Sequence, residues 1–431
     1  MSGAERSIRA VTHPVRVRRS DVDACPGALR LHAAADGPLA RVRVPGGMLT
    51  GAQIAALADV ARAYGDGWLE LTSRANVQLR AVNRGTPAAL AAQLWSAGLL
   101  PSEAHETVRN IAAPPLAGSL IRSLVRALDE GLCGEPALAA LPGRFLFAIH
   151  RVAVDADVAV APTDAVTPTA DVASAPDAAL TPDVTKNPLF AVFLGNVDSG
   201  LRVPADQVVP AMLAAAHAFL TERAADNAAE RPAWRLRELP DGPARVARRT
   251  AEALGLRRTA SSAVRPPSSA ERTPIGVVEQ GDGLFAVGAL VPLGRLGGPA
   301  VDLLAGADHV VVTTARGIVV RDLSAAAAQR WQRDLAAVGL EVDQESRWTG
   351  VTACAGRPGC AKALADVRAD AEATTSHVDG LPVHWVGCAR GCGSPSGAHV
   401  RVEATADGYL VGDIATSMVE LGEVVAGARR R

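Results

Sequence analysis

Four cysteines late in the sequence are spaced for metal–sulfur chemistry: Cys354-x5-Cys360 and, after 27 further residues, Cys388-x3-Cys392. A cubane iron–sulfur cluster needs four thiolates converging from different directions, and two short loops can supply two each. Glycine and proline crowd both loops (Gly356, Pro358, Gly359, Gly387, Gly391, Gly393, Pro395), which lets the backbone wrap closely and aim amides at sulfur. Structural zinc is a competing reading, although zinc favours two to four residues between paired ligands and a gap of five is a poor fit. Unrelated buried thiols are a third. Cys25 and Cys133 stand alone and read as buried structural thiols.

Arginines form the other chemically expressive set. In 40–44 the order Ala-Arg-Val-Arg-Val alternates apolar and basic, as a strand with one wet face does, so Arg41 and Arg43 share a face. Residues 76–82 read as a strand with Asn76, Gln78 and Arg80 on one face, and Arg74 precedes it. Lysine occurs only at Lys186 and Lys362, so any anion site must rely on guanidinium groups, whose planar fork suits carboxylates.

These residues need elements to hold them. The strand at 40–44, a turn at Pro45-Gly46-Gly47, a helix capped by Thr50 and ending at Gly65, strands at 68–72 and 76–82, and a helix opened by Thr86-Pro87 give β-α-β-β-α, half of a ferredoxin-like layout. A second copy lies at about 284–340. Val77, Leu79 and Leu94 match Ile318, Val320 and Leu335 at one constant offset, and Val44-Pro45 has an echo in Val291-Pro292. Coincidence between two alanine-rich stretches is the bland alternative. Where the first copy has Asn76, Gln78, Arg41 and Arg43, the second has Gly317, Val319, Gly288 and Leu290. Such asymmetry suits a pseudo-symmetric scaffold with a single ligand site.

Between the copies, 119–132 and 208–224 read as helices and 144–150 and 189–194 as strands. The alanine-, valine- and proline-rich run 152–185 has no aromatic residue and reads as a mobile surface insertion, and 260–272 as a polar linker. The division expected is 25–105, 106–270, 271–346 and 347–431, the last carrying the paired cysteines.

The bulk numbers narrow the class. A chain of 431 residues exceeds one core, and 48% hydrophobic content with 3% aromatics leaves alanine, valine and leucine to fill it. A net charge of −1 gives no reason to expect nucleic acid. No stretch approaches the roughly 20 apolar residues a membrane helix needs. The N-terminal arginines (Arg6, Arg9, Arg16, Arg18, Arg19) lack the apolar run of a secretory signal, so the cytoplasm is the default address. Six cysteines in that setting point to metal or redox use rather than disulfides. Glycine-rich 288–298 lacks the strand–G-x-G-x-x-G–helix order of a dinucleotide site.

Thr352-Ala-Cys-Ala-Gly-Arg-Pro-Gly-Cys360 and Gly387-Cys-Ala-Arg-Gly-Cys-Gly393 resemble the two cluster-binding motifs of the sulfite/nitrite reductase superfamily. Arg41-Val-Arg-Val-Pro-Gly-Gly47, Thr72-Ser-Arg-Ala-Asn-Val-Gln78, Val108-Arg-Asn110 and Leu141-Pro-Gly-Arg-Phe145 extend the likeness along nearly the whole chain, in the family's order. The resemblance implies an α+β fold: two pseudo-symmetric ferredoxin-like half-domains plus two α/β cluster- and tetrapyrrole-binding domains. It implies a 4Fe-4S cluster on Cys354, Cys360, Cys388 and Cys392, with Cys392 next to a second iron centre, sirohaem in the reductases. It also places Arg41, Arg109 and Arg144 in a catalytic pocket, with Arg43, Arg74, Asn76, Gln78 and Arg80 as candidate substrate ligands.

The chain departs from the reductases at three points. Leu146 stands where they carry a second lysine, Ala389-Arg390 replaces Pro-Asn between the last cysteines, and the chain is short. Those features resemble the precorrin-3B synthase branch, which implies a tetrapyrrole substrate (precorrin-3A), dioxygen, non-haem iron in place of or beside sirohaem, and electrons from an external reductase or ferredoxin. A sirohaem-dependent sulfite or nitrite reductase is the alternative. His384 and His399 flank the last cysteine pair and read as structural before they read as iron ligands.

Overall fold

The computed structural model describes residues 23, 25–83, 85–150, 152, 154–163, 188–226, 232–259, 274–395 and 397–430. The linker expected at 260–272 and the N-terminal arginines lie outside those residues.

The first half opens with β1 (Ala40–Val42), β2 (Met48–Leu49), α1 (Gly51–Tyr64), β3 (Leu69–Leu71), β4 (Val77–Leu79) and α2 (Pro87–Ser96). Thr50 starts α1 with a reciprocal cap: its hydroxyl accepts from Gln53 N at 3.2 Å and the Gln53 side chain accepts from Thr50 N at 3.1 Å. Thr86 caps α2, with Pro87 at the first helical position. The chain continues through β5 (Ile111–Ala112), α3 (Ser119–Gly134), β6 (Phe147–Ile149), β7 (Val158–Pro162), β8 (Leu189–Leu194), β9 (Val197–Pro204), α4 (Val208–Ala225) and α5 (Gly242–Leu254).

The second half repeats the plan: β10 (Gly276–Glu279), β11 (Phe285–Leu290), β12 (Arg295–Leu296), α6 (Pro299–Leu304), β13 (Val310–Val312), β14 (Gly317–Leu323) and α7 (Ala325–Ala337). It then adds β15 (Val351–Ala353), α8 (Val367–Thr374), β16 (Val383–Val386), β17 (Val400–Ala404), β18 (Tyr409–Val411), β19 (Ile414–Thr416) and α9 (Leu421–Arg429).

The repeat is geometric. In the first copy Asn76 N donates to Thr72 Oγ1 at 3.0 Å, and in the second Gly317 N donates to Thr313 Oγ1 at 3.0 Å. The residue before each, Ala75 or Arg316, is left-handed at φ 56° or 63°. The copies also trade strands. β2 pairs antiparallel with β13 of the other copy, and β12 pairs with β3. Each copy thus completes its partner's sheet, and their apolar residues merge into one core.

The two remaining sheets follow a common scheme. In β5-β6-β7-β8-β9 the first three strands are parallel and the last two antiparallel. The order β15-β16-β17-β18-β19 repeats that pattern, each sheet having a helix (α3 or α8) between its first two strands.

One sequence expectation is corrected here. The run 152–185 contains β7, a wholly buried strand in the middle of its sheet, with Val158 and Val160 in the core shared with α3, α4 and α5 and Ala159 and Ala161 in a smaller cluster on the other face. Small apolar residues suffice where both faces are covered, so scarcity of aromatics is no sign of disorder in such a strand. Residues 153 and 164–185 of that run lie outside the described residues. Among the described residues no helix is long and apolar enough to cross a membrane.

Candidate functional site

Ala353 lies opposite Trp385 across the parallel pair β15–β16, so Cys354 and Cys388 leave adjacent strands at their carboxyl ends. Ligands of parallel sheets settle in that position. Cys354 N donates to Trp385 O at 2.9 Å, and Gly387 N donates to Cys354 Sγ at 3.2 Å. One backbone amide therefore already points at a candidate ligand sulfur. A Cβ on Gly387 would stand 2.6 Å from the Cβ of Ala363, so the two loops approach closely only because that residue is glycine. None of the cysteines is in a disulfide; Cys354, Cys360 and Cys388 are half-buried and Cys392 is exposed.

Among the described residues no three His, Cys, Asp or Glu side chains gather around one point as a single metal ion requires. A cubane makes a different demand, since its thiolates cap separate corners. Four free cysteines on two glycine-lined loops, one sulfur already accepting an amide, fit that larger group.

Guanidinium groups grip the carbonyls of both loops. Arg80 donates to Gly359 O, Arg368 Nε to Cys354 O at 3.2 Å, and Arg357 Nε to Ala363 O at 2.8 Å. Arg316 donates to Gly393 O and Arg401 to Ala389 O, each at 2.9 Å. Carboxylates support three of them: Asp36 chelates Arg80 at 2.7 and 2.8 Å, Glu70 pairs with Arg368 at 2.7 Å, and Glu403 pairs with Arg401. Glu70 lies on β3 and Arg368 on α8, so this grip ties the first ferredoxin-like copy to the cysteine loops. With carbonyls held outward, loop amides are free to face sulfur.

A second cationic group lies on the same copy. Arg41 donates to Gln78 Oε1 at 2.9 Å, and Gln78 Nε2 donates to Glu70 at 3.0 Å. Arg43 is 2% exposed; its Nε donates to Thr107 O at 3.1 Å, while neither terminal nitrogen has a partner among the described residues. Burial pushes Arg43 down to about 9, with the charges of Arg41 and Arg74 acting the same way against Cys25 and Glu106. Burial and the charge of Arg235 bring Arg74 to about 10. Burial pushes the Cys25 thiol up, and Asp23 adds to the effect against Arg43 and Arg41. A buried cluster of cations this short of anions is costly unless a ligand supplies them.

Other residues expected at the site go elsewhere. Both arms of Arg109 are held by Asp129 at 2.7 Å, and a third donor reaches Leu99 O, so Arg109 fastens α3 to the preceding turn. Arg144 is exposed, its guanidinium 4.8 Å from the ring centre of Trp234. Asn76 braces backbone, accepting from Val44 N at 2.9 Å and donating to Asn110 Oδ1 at 3.1 Å. Leu146 is 2% exposed in an apolar cluster with Ala112, Ala148, Ala159 and Phe193.

Known proteins resemble this chain in sequence and in fold. The nitrite/sulfite reductase ferredoxin-like half domain matches residues 32–94. A precorrin-3B synthase from Sinorhizobium sp is 27% identical over 413 residues, 90% of this chain and 81% of that protein. A ferredoxin–nitrite reductase from Synechococcus elongatus is 27% identical over 412 residues, covering 86% of this chain and 78% of the relative. The Mycobacterium tuberculosis NirA protein shares the fold, with a TM-score of 0.66 at 20% identity over 90% of this chain and 79% of its own. The chain is thus similar to sulfite/nitrite reductases and to a precorrin-3B synthase over most of its length, and its residues 32–94 match their ferredoxin-like half domain.

Of the two histidines beside the cysteines, His384 is structural. His384 is fully buried, with Nδ1 2.7 Å from Thr352 Oγ1 and Nε2 2.9 Å from Cys392 O, leaving no lone pair for a metal. His399 Nδ1 lies 2.8 Å from Gly397 O. Sequence reasoning missed Glu70, Arg316 and Arg368. One signal was present for Arg316: the offset that aligns the copies sets it against Ala75, a charge gained in an otherwise apolar repeat.

Proposed function

We propose that this chain is an oxygen-dependent precorrin-3B synthase. In this reading it converts precorrin-3A to its hydroxylated γ-lactone and holds a 4Fe-4S cluster on Cys354, Cys360, Cys388 and Cys392. Leu146 is the observation that carries the reading over an anion reductase. It is buried among alanines at a position where the reductases would carry lysine, so a small oxyanion would lose a cation and a proton source there. The rim of a tetrapyrrole carries carboxylates, and Arg41, Arg43 and Arg74 supply guanidinium groups short of anions to meet them.

Gln78 fixes the rotamer of Arg41, and Asn76 holds the strand that presents Arg43. Arg109 acts as a brace for α3 in this scheme, and Arg144 as a surface group over Trp234. The cluster, when bound, would relay two electrons per turnover from an external reductase or ferredoxin to a second iron centre, non-haem iron or sirohaem. Protein reconstituted without air, then given precorrin-3A, a reductant and labelled dioxygen, is expected to place one labelled oxygen atom in a lactone product. Cluster-replete protein that leaves precorrin-3A unchanged ends this reading.

A second reading, sirohaem-dependent sulfite or nitrite reductase, has support from the nitrite reductase relative, which matches nearly as much of the chain. Reduction of nitrite by the same protein with reduced ferredoxin, together with sirohaem absorption, would favour it.

A further inference from the structure

Arg316 occupies a costly position. It is left-handed at φ 63°, a conformation that disfavours a long side chain, and a Cβ on Gly294 would come 3.1 Å from its Cδ. Its guanidinium donates to Gly393 O at 2.9 Å, beside Cys392. Burial lowers Arg316 to about 10, with the charge of Arg368 adding to that effect and Glu70 and Cys354 opposing it. Among the described residues Arg80 has Asp36, Arg368 has Glu70 and Arg401 has Glu403, but Arg316 makes no ion pair. Arg357, which is exposed, also has no ion pair among the described residues, so the cysteine loops hold two guanidiniums more than their carboxylates balance, and Arg316 is the more buried of the two. The matching residue of the first copy, Ala75, carries no charge.

We propose that Arg316 is the counter-charge of the iron–sulfur cluster, a positioning residue that holds Gly393 and sets the cluster's reduction potential. The inference rests on the cluster assignment made above. A cube held by four thiolates is an anion, and taking one electron from the external donor adds one negative charge. A cation alongside favours the reduced form, so its removal shifts the one-electron equilibrium toward the oxidised cluster. Two nearby groups predict opposite signs, because Glu70 is a negative charge in the same field.

The test is a potentiometric titration of reconstituted protein, followed by electron paramagnetic resonance. Arg316→Gln should lower the potential by at least tenfold in the equilibrium, about 59 mV for one electron. Arg316→Lys should stay near the parent, and Glu70→Gln should raise the potential. If Arg316→Gln binds no cluster, the other two variants decide. A drop in Arg316→Lys equal to that of an uncharged side chain, or an unmoved Glu70→Gln, overturns the proposal. So does an unchanged potential in Arg316→Gln with weakened tetrapyrrole binding, which would give the guanidinium to the macrocycle. Iron and sulfide analysis of the parent protein separates these outcomes from failure of the cluster assignment, since a parent without iron and sulfide removes the cluster altogether.

Discussion

The two halves of the chain are built alike and docked crosswise. Arg80 of the first ferredoxin-like copy donates to Gly359 O, in the loop after β15. Arg321, its counterpart in the second copy, donates to Pro115 O at 3.1 Å, in the loop after β5. Carboxylates follow the same rule. Glu70 reaches Arg368 on α8, and Asp322 reaches Arg122 on α3 at 3.1 Å. Each copy therefore seats itself on the α/β unit of the other half with an arginine on a carbonyl and a carboxylate on an arginine. What differs is the ligand chemistry. The first half keeps Arg41, Arg43 and Gln78 and has no paired cysteines, while the second has the cysteines and Val319 buried with Ala286 and Val311. The docking device survives on both sides and the candidate chemistry on one side of each unit, so the proposed site falls where the first copy meets the second α/β unit.

The sharpest way to break the comparison is through its shared device. Arg80 is buried, chelated by Asp36 and in contact with a cysteine loop, so Arg80→Ala strands a carboxylate and frees Gly359 O. A loss of about 3–5 kcal/mol is expected, the range for removing one partner of a buried pair. Arg321→Ala should cost less, because its Asp322 neighbour keeps Arg122 and Gln280. Denaturant melts of both variants compare them directly, and equal losses would mean the two sides are not distinguished by their carboxylates.

Rewriting the first copy in the image of the second is the next test. Asn76→Gly with Gln78→Val installs the residues found at 317 and 319, which fold in the same turn and strand. Turnover of the tetrapyrrole is expected to fall at least about a hundredfold, roughly 2.7 kcal/mol of transition-state stabilisation, because Arg41 and the Arg43 strand lose their braces. Circular dichroism should remain that of a folded α+β protein. Arg43→Met should act more mildly and with a telling split. Binding of the tetrapyrrole weakens about tenfold, roughly 1.4 kcal/mol, while the melting temperature holds or rises because a buried charge with no ion pair among the described residues has been removed. A melting temperature that drops along with affinity would show Arg43 to be a scaffold residue.

Much of this arrangement is legible in the sequence where it depends on local rules. Thr50, Thr86 and Pro87 announce their helices, and the constant offset between Val77 and Ile318 or Leu94 and Leu335 announces the repeat. The exchanged strands do not show, because two residues such as Met48–Leu49 are too short to carry a period. Strand β7 was obscured by its own composition. The roles of Arg109, Glu70 and Arg368 depend on partners 20, 298 and 298 positions away respectively, and no spacing rule connects such residues. Cysteine loops can be read because their geometry is local; the charges around them cannot, because theirs is not.

The smallest expected effect concerns Asp322, the second copy's answer to Glu70. Burial opposes its ionisation, but the hydrogen bond from Gln280 and the charges of Arg321 and Arg122 outweigh burial and hold the carboxyl below its ordinary 3.8. A folded-state value below the unfolded one means that the ionised form stabilises the fold at pH above 3.8 and that this contribution fades as pH falls through the folded value. The crosswise seat of the second copy on α3 should therefore loosen in acid. Asp322→Asn should lower stability at neutral pH and flatten that acid limb, so that parent and variant converge as pH falls. Melting curves across the acid range measure the gap, and a gap that stays constant down the series would assign Asp322 a hydrogen-bonding role that its charge does not control.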